Sequence, residues 1–276
     1  MQFRSLILAN VEVSPGYYRM RMTAPPEFQS ARPGQFVMVR VFDAIDPLLR
    51  RPFGIFDVGV QSASFTGGAD IPYLEILYKV VGKGTELMAT LHSGDHLDLL
   101  APLGTGFAME PAPTAPLLVG GGIGLAPLYY LARELAPRTT VRLFAGGRTK
   151  EDILCITEFE RLGVETYVAT DDGTLGERGF VTQVLSRALE NASSAATIYA
   201  CGPMPMLGAV AALADRFRVP CQVSLEAHMA CGVGACLGCV LPGRDHSSVT
   251  PDYRCVCKEG PVFDYRELSW EQGRGE

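Results

Sequence analysis

No stretch of this chain approaches the roughly 18 to 20 uninterrupted apolar residues that a membrane-spanning helix requires. Glycine, proline or charge interrupts every candidate. A basic patch is missing as well. The net charge of -6 comes from interspersed residues rather than an acidic tail, which argues against sequence-independent binding to nucleic acid or an anionic membrane. Histidine is scarce, and His92, His96, His228 and His246 form no metal-ligand spacing. There is no internal repeat and no low-complexity tract. The opening MQFRSLILANVEVSP has a short apolar run without a charged leader or a small-residue cleavage site, so it is expected to form a strand rather than an export signal. Together these absences predict a soluble cytoplasmic protein with no nucleic-acid or membrane partner.

What is present is enough hydrophobic sequence, 47% of 276 residues, for two domains and a small appendage. Short β-type runs separated by turn residues fill the first hundred or so positions: Leu6 to Val13, Tyr17 to Met22, Phe36 to Val41, Ile55 to Val60, Tyr73 to Val80 and His96 to Leu99. They predict a small antiparallel barrel over 1–103. The proline-rich segment Met109 to Pro116 precedes a change of pattern to apolar strand, glycine turn and helix, which predicts a parallel-sheet α/β domain over 104–220. Glycine and cysteine dominate a third part, 221–276.

Of eight cysteines, five (Cys231, Cys236, Cys239, Cys255 and Cys257) lie close together near the C-terminus. Clustering favours a metal centre over a disulfide framework, which belongs to small exported domains without a core. The CxxxxCxxC spacing of Cys231, Cys236 and Cys239 matches the plant-type 2Fe-2S arrangement, with a fourth thiolate from a distant segment. Gly232, Gly234 and Gly238 let the backbone wrap closely and aim N-H groups at sulfur. A zinc site or buried thiols are the alternatives, although zinc sites usually pair two CxxC knuckles. Cys255 and Cys257, two apart, are expected to face opposite sides of an extended strand, so only one should ligate.

Leu117 to Pro127 reads as a buried strand delivering Gly120, Gly121, Gly122, Ile123 and Gly124 into a helix N-terminus, a ready site for a pyrophosphate. The next strand end carries Cys201, Gly202, Pro203 and Met204, and both ends should line one cleft. Cys201 is a candidate nicotinamide contact, or plain packing. Cys155 and Cys221 read as structural. In the barrel, Arg50 and Arg51 flank a proline-fixed turn, and Tyr78 to Thr85 runs from a strand into a glycine turn. Either could hold phosphate or be an ordinary strand end. Arg148, beyond the second strand of the α/β part, leaves NAD against NADP open.

In combination and order, these motifs resemble the ferredoxin-NADP reductase superfamily over nearly the whole chain. The terminal SLEAHMACGVGACLGCV segment narrows the likeness to the electron-transfer subunits of class 1B dihydroorotate dehydrogenases. The resemblance implies that Arg51 contacts the FAD pyrophosphate while Pro52, Phe53 and Gly54 shape the flavin site, with Gly54 standing where the family usually has serine. It further implies that Leu77, Tyr78 and Lys79 form the second flavin strand, that Gly84 and Thr85 form a phosphate turn, and that Gly120 to Gly124 with Cys201 to Met204 hold NAD. Because the family's last ligand precedes a GPVF element, here Gly260 to Phe263, the resemblance prefers Cys257 over Cys255. The implied partner is an FMN-containing dihydroorotate dehydrogenase catalytic subunit, in a heterotetramer of two subunits of each kind, with the cluster loop at the interface. The same cofactors could instead serve an NADH-dependent ferredoxin:NADP oxidoreductase or a soluble hydrogenase. A zinc-stabilised or redox-sensing interaction module is the alternative from another class.

Overall fold

The computed structural model describes residues 1–41, 46–62, 70–190, 196–247, 249 and 251–270. Its first part is the expected antiparallel barrel, built from β1 (Gln2–Ser14), β2 (Tyr17–Thr23), β3 (Phe36–Arg40), β4 (Arg51–Gln61), β5 (Ile71–Lys79) and β6 (His96–Leu103). The order is β1-β2-β5-β4-β3-β6, and antiparallel pairing of β1 with β6 closes it. Alternate positions turn Ile7, Met20, Met22, Val37, Val39, Ile55, Leu74 and Ile76 into one buried core. Gly16, at a φ of +74°, makes the tight β1–β2 turn that a side chain would strain. A short helix, α1 (Lys83–Ala89), follows β5.

The second part contains β7 (Ala115–Gly121), α2 (Leu125–Leu135), β8 (Arg142–Gly147), α3 (Ile156–Arg161), β9 (Glu165–Thr170), β10 (Glu177–Arg178), α4 (Val181–Glu190), β11 (Ala196–Cys201) and α5 (Met204–Phe217). Along β7, Leu117 and Val119 enter one core with residues of α4 and α5, while Leu118 enters another with residues of α2 and α3. A strand buried on both faces explains the unbroken apolar run PLLV.

Three short strands follow α5, β12 (Cys221–Ser224), β13 (Val240–Pro242) and β14 (Tyr253–Cys255), and then β15 (Val262–Asp264). The large sheet runs β10-β9-β8-β7-β11-β12-β15, parallel except where β15 meets β12. The boundary expected at 220/221 therefore cuts through this sheet. Composition placed β12 with the cysteines, but backbone pairing joins it to β11. The cysteine-bearing chain is an excursion between two neighbouring strands, with β13 and β14 forming a small hairpin-like pair of their own.

Helix α2 joins the two parts. The Tyr130 hydroxyl donates to the Ala31 carbonyl at 2.6 Å, Tyr129 stacks on Phe56 with ring centroids 4.5 Å apart, and Arg133 donates to the Val58 carbonyl at 2.6 Å while pairing with the Asp57 carboxylate. Burial pushes the Asp57 carboxyl up to about 6, with Arg133 opposing the rise. A folded-state value above the unfolded one means that the folded state binds the proton first as pH falls. This group therefore adds stability on going from pH 7 down to 5, by about 1 kcal/mol. Denaturant titrations at the two pH values should show that increment shrink in Asp57→Asn relative to the parent.

Candidate functional site

Two cavities meet where the barrel faces the sheet. One, of about 500 Å³, is walled by Arg51, Pro52, Phe53 and Gly54 of β4, Leu77 to Lys79 of β5, Thr85, and the stretch Ser224 to Met229. The other, of about 720 Å³, lies over the carboxyl ends of the parallel strands and is walled by Gly121, Gly122, Gly146, Gly147, Gly202, Pro203 and Met206, among others. Lys79, Ile123 and Glu226 line both.

In the first cavity, close backbone approaches explain the glycines. A Cβ at Gly84 would collide with the Arg51 guanidinium, so the glycine lets Arg51 lie across the start of α1. Thr85 is committed locally: its hydroxyl donates to the Gly82 carbonyl at 2.9 Å and accepts from the N-H groups of Val81 at 2.9 Å and Gly82 at 3.2 Å, holding the turn shut. Tyr78 uses its hydroxyl on Asn10 at 3.1 Å. The atoms nearest a Cβ at Gly54 belong to Pro127, from 3.6 Å, an ordinary contact, so the backbone here does not exclude the Cβ of the serine that the resemblance expects. Arg50 stands apart, donating to the Asp98 carbonyl at 2.8 Å and pairing with its carboxylate.

In the second cavity, the β7 and β11 ends touch backbone to backbone. A Cβ at Gly124 would overlap the Cys201 carbonyl and lie 2.7 Å from the Gly202 Cα, and one at Gly121 would lie 2.9 Å from Pro203. Gly120 and Gly124 thus stand behind the lining and permit it, while Gly121, Gly122 and Ile123 face the space. Met204, at the exposed start of α5, is not part of the wall; Met206 is. Cys201 borders the first cavity rather than the second, and burial pushes its thiol far up, so it is a neutral wall group. Glu226 was not anticipated from the sequence. Desolvation raises its carboxyl above the ordinary range at the junction of the two spaces.

A hydrogen-bonded chain crosses the same junction. The Tyr17 hydroxyl donates to Asp152 Oδ1 at 2.5 Å and accepts from Lys79 Nζ at 2.7 Å, and the Arg148 N-H reaches Asp152 Oδ2 at 3.2 Å. Burial alone would raise the Asp152 carboxyl, but the hydrogen bonds from Tyr17 and Arg148 and the neighbouring cations hold it below the usual carboxylate range. Tyr17 and Asp152 carry no sequence motif that would have marked them.

The cysteine-bearing segment begins beside the first cavity, with Cys231 two residues beyond its wall at Met229. Cys239, Cys255 and Cys257 bring their sulfurs within 4.8 Å of one another. Cys231 is half-buried and Cys236 exposed, on a loop whose Val233 and Leu237 also face outward. Backbone N-H groups point at sulfur: Val233 to Cys231 at 3.4 Å, Gly234 to Cys257 at 3.0 Å and Gly238 to Cys236 at 3.4 Å. The Val233 N-H leads the causes that bring the Cys231 thiol down to about 6. Gly232, at a φ of +71°, lies where a Cβ would strike the side chain of Met38, so the loop rests directly on β3. Two thiolates on one tetrahedral metal with bonds of about 2.3 Å stand roughly 3.8 Å apart. Cys239 and Cys255 are 3.7 Å apart, and Cys255 and Cys257 are 3.8 Å apart. The donor set therefore suits a thiolate-held metal group. The expectation that Cys255 and Cys257 face opposite ways does not hold, because β14 ends at Cys255 and the next residues turn.

A family described as the iron-sulfur cluster binding domain of dihydroorotate dehydrogenase B matches residues 226–269, and the oxidoreductase NAD-binding domain matches residues 118–212. The chain is 39% identical to the dihydroorotate dehydrogenase B (NAD(+)) electron transfer subunit of Desulforamulus reducens, over 98% of both chains. It is 40% identical to the subunit of the same name from Geobacillus thermodenitrificans, over 96% of this chain and 97% of that one. Among solved structures it resembles an NADH-dependent reduced ferredoxin-NADP oxidoreductase described in work on flavin-based electron bifurcation, with a TM-score of 0.81 and 28% identity over 97% of this chain and 90% of that one.

The tight backbone contact at Gly124 yields a direct test. Gly124→Ala forces a methyl group against fixed backbone and should cost about 1 to 3 kcal/mol of stability. Urea unfolding would measure the loss, and binding of a nicotinamide nucleotide should weaken alongside it.

Proposed function

The chain belongs to the family of dihydroorotate dehydrogenase B electron transfer subunits, and on that premise we propose that it carries electrons from an FMN-containing dihydroorotate dehydrogenase catalytic subunit through a 2Fe-2S cluster and FAD to NAD, in pyrimidine biosynthesis. The observation that carries this reading is continuity. The stretch Ser224 to Met229 walls the first cavity, its Glu226 also walls the second, and the same stretch runs straight into Cys231. Three redox groups seated there would be neighbours without any rearrangement of the chain.

When bound, FAD supplies the exchange between two-electron nicotinamide chemistry and one-electron cluster chemistry. The protein's share is placement. Arg51, lying over Gly84, offers its guanidinium to the FAD pyrophosphate, and Pro52, Phe53 and Gly54 with Leu77, Tyr78 and Lys79 form the flavin wall. Gly84 and Thr85 hold the phosphate turn. The Gly120 to Gly124 turn and the Gly202–Pro203 end receive NAD, with Met206 taking the wall position that the sequence suggested for Met204. Cys201 closes the space between as a neutral thiol, adding no charge beside the ring. Asp171 and Asp152 put carboxylates near Arg148, an arrangement that suits ribose hydroxyls better than a 2'-phosphate and so supports NAD. Cys231, Cys236, Cys239 and Cys257 are assigned as cluster ligands.

The exposed side of the cluster loop, with Val233 and Leu237, is assigned to the catalytic partner in a heterotetramer of two subunits of each kind. A cytoplasmic location completes the proposal. No described helix is long and apolar enough to cross a membrane. The ferredoxin-NADP oxidoreductase likeness favours a second reading in which the same cofactors serve a different partner. The nearly full-length relatives support the first.

Anaerobically purified protein should show flavin and cluster absorption that bleaches on adding NADH, with iron and acid-labile sulfide present. Protein free of flavin and iron, even after reconstitution, would sink the proposal. Arg51→Ala should lower FAD affinity about tenfold or more, as loss of a charge-assisted contact requires, while leaving iron content unchanged.

A further inference from the structure

The excursion carries five thiols where a four-thiolate centre needs four, and three of them, Cys239, Cys255 and Cys257, lie within 4.8 Å of one another. Cys255 is buried between Cys239 and Cys257, at 3.7 Å from one sulfur and 3.8 Å from the other. Those are the separations of two thiolates sharing one tetrahedral iron, if iron-sulfur bonds match the roughly 2.3 Å of other metal-thiolate bonds. The backbone explains why neighbours two apart point the same way. Strand β14 stops at Cys255, whose carbonyl accepts from the N-H groups of Lys258 at 3.1 Å and Glu259 at 2.8 Å, so the chain coils and brings Cys257 round to the same side. Both positions are anchored. The Cys257 N-H donates to Cys239 Sγ at 3.3 Å, and the Cys255 N-H donates to Glu259 Oε2 at 2.6 Å.

We propose that Cys255 is a second thiol for the iron held by Cys239, so that the cluster closes on either Cys255 or Cys257. The inference rests on the iron-sulfur reading above. It differs from that reading in making the last ligand position redundant. Exchange replaces one thiolate by another: Cys255 passes its thiol proton to the departing Cys257 thiolate, one sulfur–iron bond forms as one breaks, and no electron changes hands. The coil following β14 lets the swap occur without moving Cys231, Cys236 or Cys239.

The test compares the full chain carrying FAD as parent, Cys255→Ala, Cys257→Ala and the double variant. Each is assayed for iron and acid-labile sulfide per flavin, and by electron paramagnetic resonance after reduction with dithionite. Alanine offers no oxygen ligand. The parent and both single variants should hold about two irons per flavin, as a 2Fe-2S centre requires. Cys257→Ala should show shifted g-values, and the double variant should lose most of its iron. Loss of the cluster from Cys257→Ala with flavin retained would overturn the proposal, as would retention by the double variant. Should Cys257→Ala also lose flavin, Cys257→Ser keeps the side-chain size: an all-thiolate visible spectrum supports exchange, whereas mixed oxygen–sulfur ligation or loss of iron overturns it. A parent that binds FAD but no iron or sulfide defeats the iron-sulfur reading itself and the inference with it, an outcome distinct from failure in the single variants alone.

Discussion

Helix α2 lies across strand β4, and that contact brings together walls of the first cavity, Ala126 and Pro127 on one side and Arg51 to Gly54 on the other. The helix begins where the β7 glycine turn ends, so its docking on the barrel fixes the turn against the flavin-side strand. Pro127 sits over Gly54, Tyr129 stacks on Phe56, and Tyr130 and Arg133 reach carbonyls of the barrel. The ion pair of Arg133 with Asp57 is half-buried, and partial desolvation offsets much of its attraction. Its effect is directional: Arg133 reaches both the Asp57 carboxyl and the Val58 carbonyl, which ties the helix to one place on β4.

The barrel and the sheet were legible in the sequence because their signals are local. Alternation with period two marks the barrel strands, and apolar runs bounded by glycine mark the buried ones. What escaped was set by long-range pairing. Residues Cys221 to Ser224 look like the start of a cysteine-rich unit, yet β11 claims them as a sheet strand. Tyr17, Asp152 and Glu226 line one cavity only in three dimensions, from a barrel strand, a 3-10 turn after β8 and the chain beyond β12. Their neighbours in sequence give no hint of the junction they share.

Within the motifs, residue type was more readable than residue placement. The glycine turns could be marked from sequence alone, since close backbone approach excludes a side chain. Whether a given strand glycine lines a cavity or stands behind it depends on strand phase, and so Gly120 and Gly121 of β7 part company. Similarly, helix phase at the start of α5 turns Met206 inward and leaves Met204 outside. The pair Cys255 and Cys257 shows the limit of period-two reasoning, which holds only while the strand lasts.

The cysteine excursion leaves the sheet at Ser224 and returns at Val262, and those two residues are paired partners in neighbouring strands. Its ends are therefore held together by the sheet, whatever lies between them. Because the entropy of closing a loop grows only slowly with its length, the segment behaves as a cassette. Beyond Met229 its length and outward surface are free to diverge among descendants of one ancestral scaffold, while its first residues, Leu225 to Met229, stay tied to the cavity walls they form.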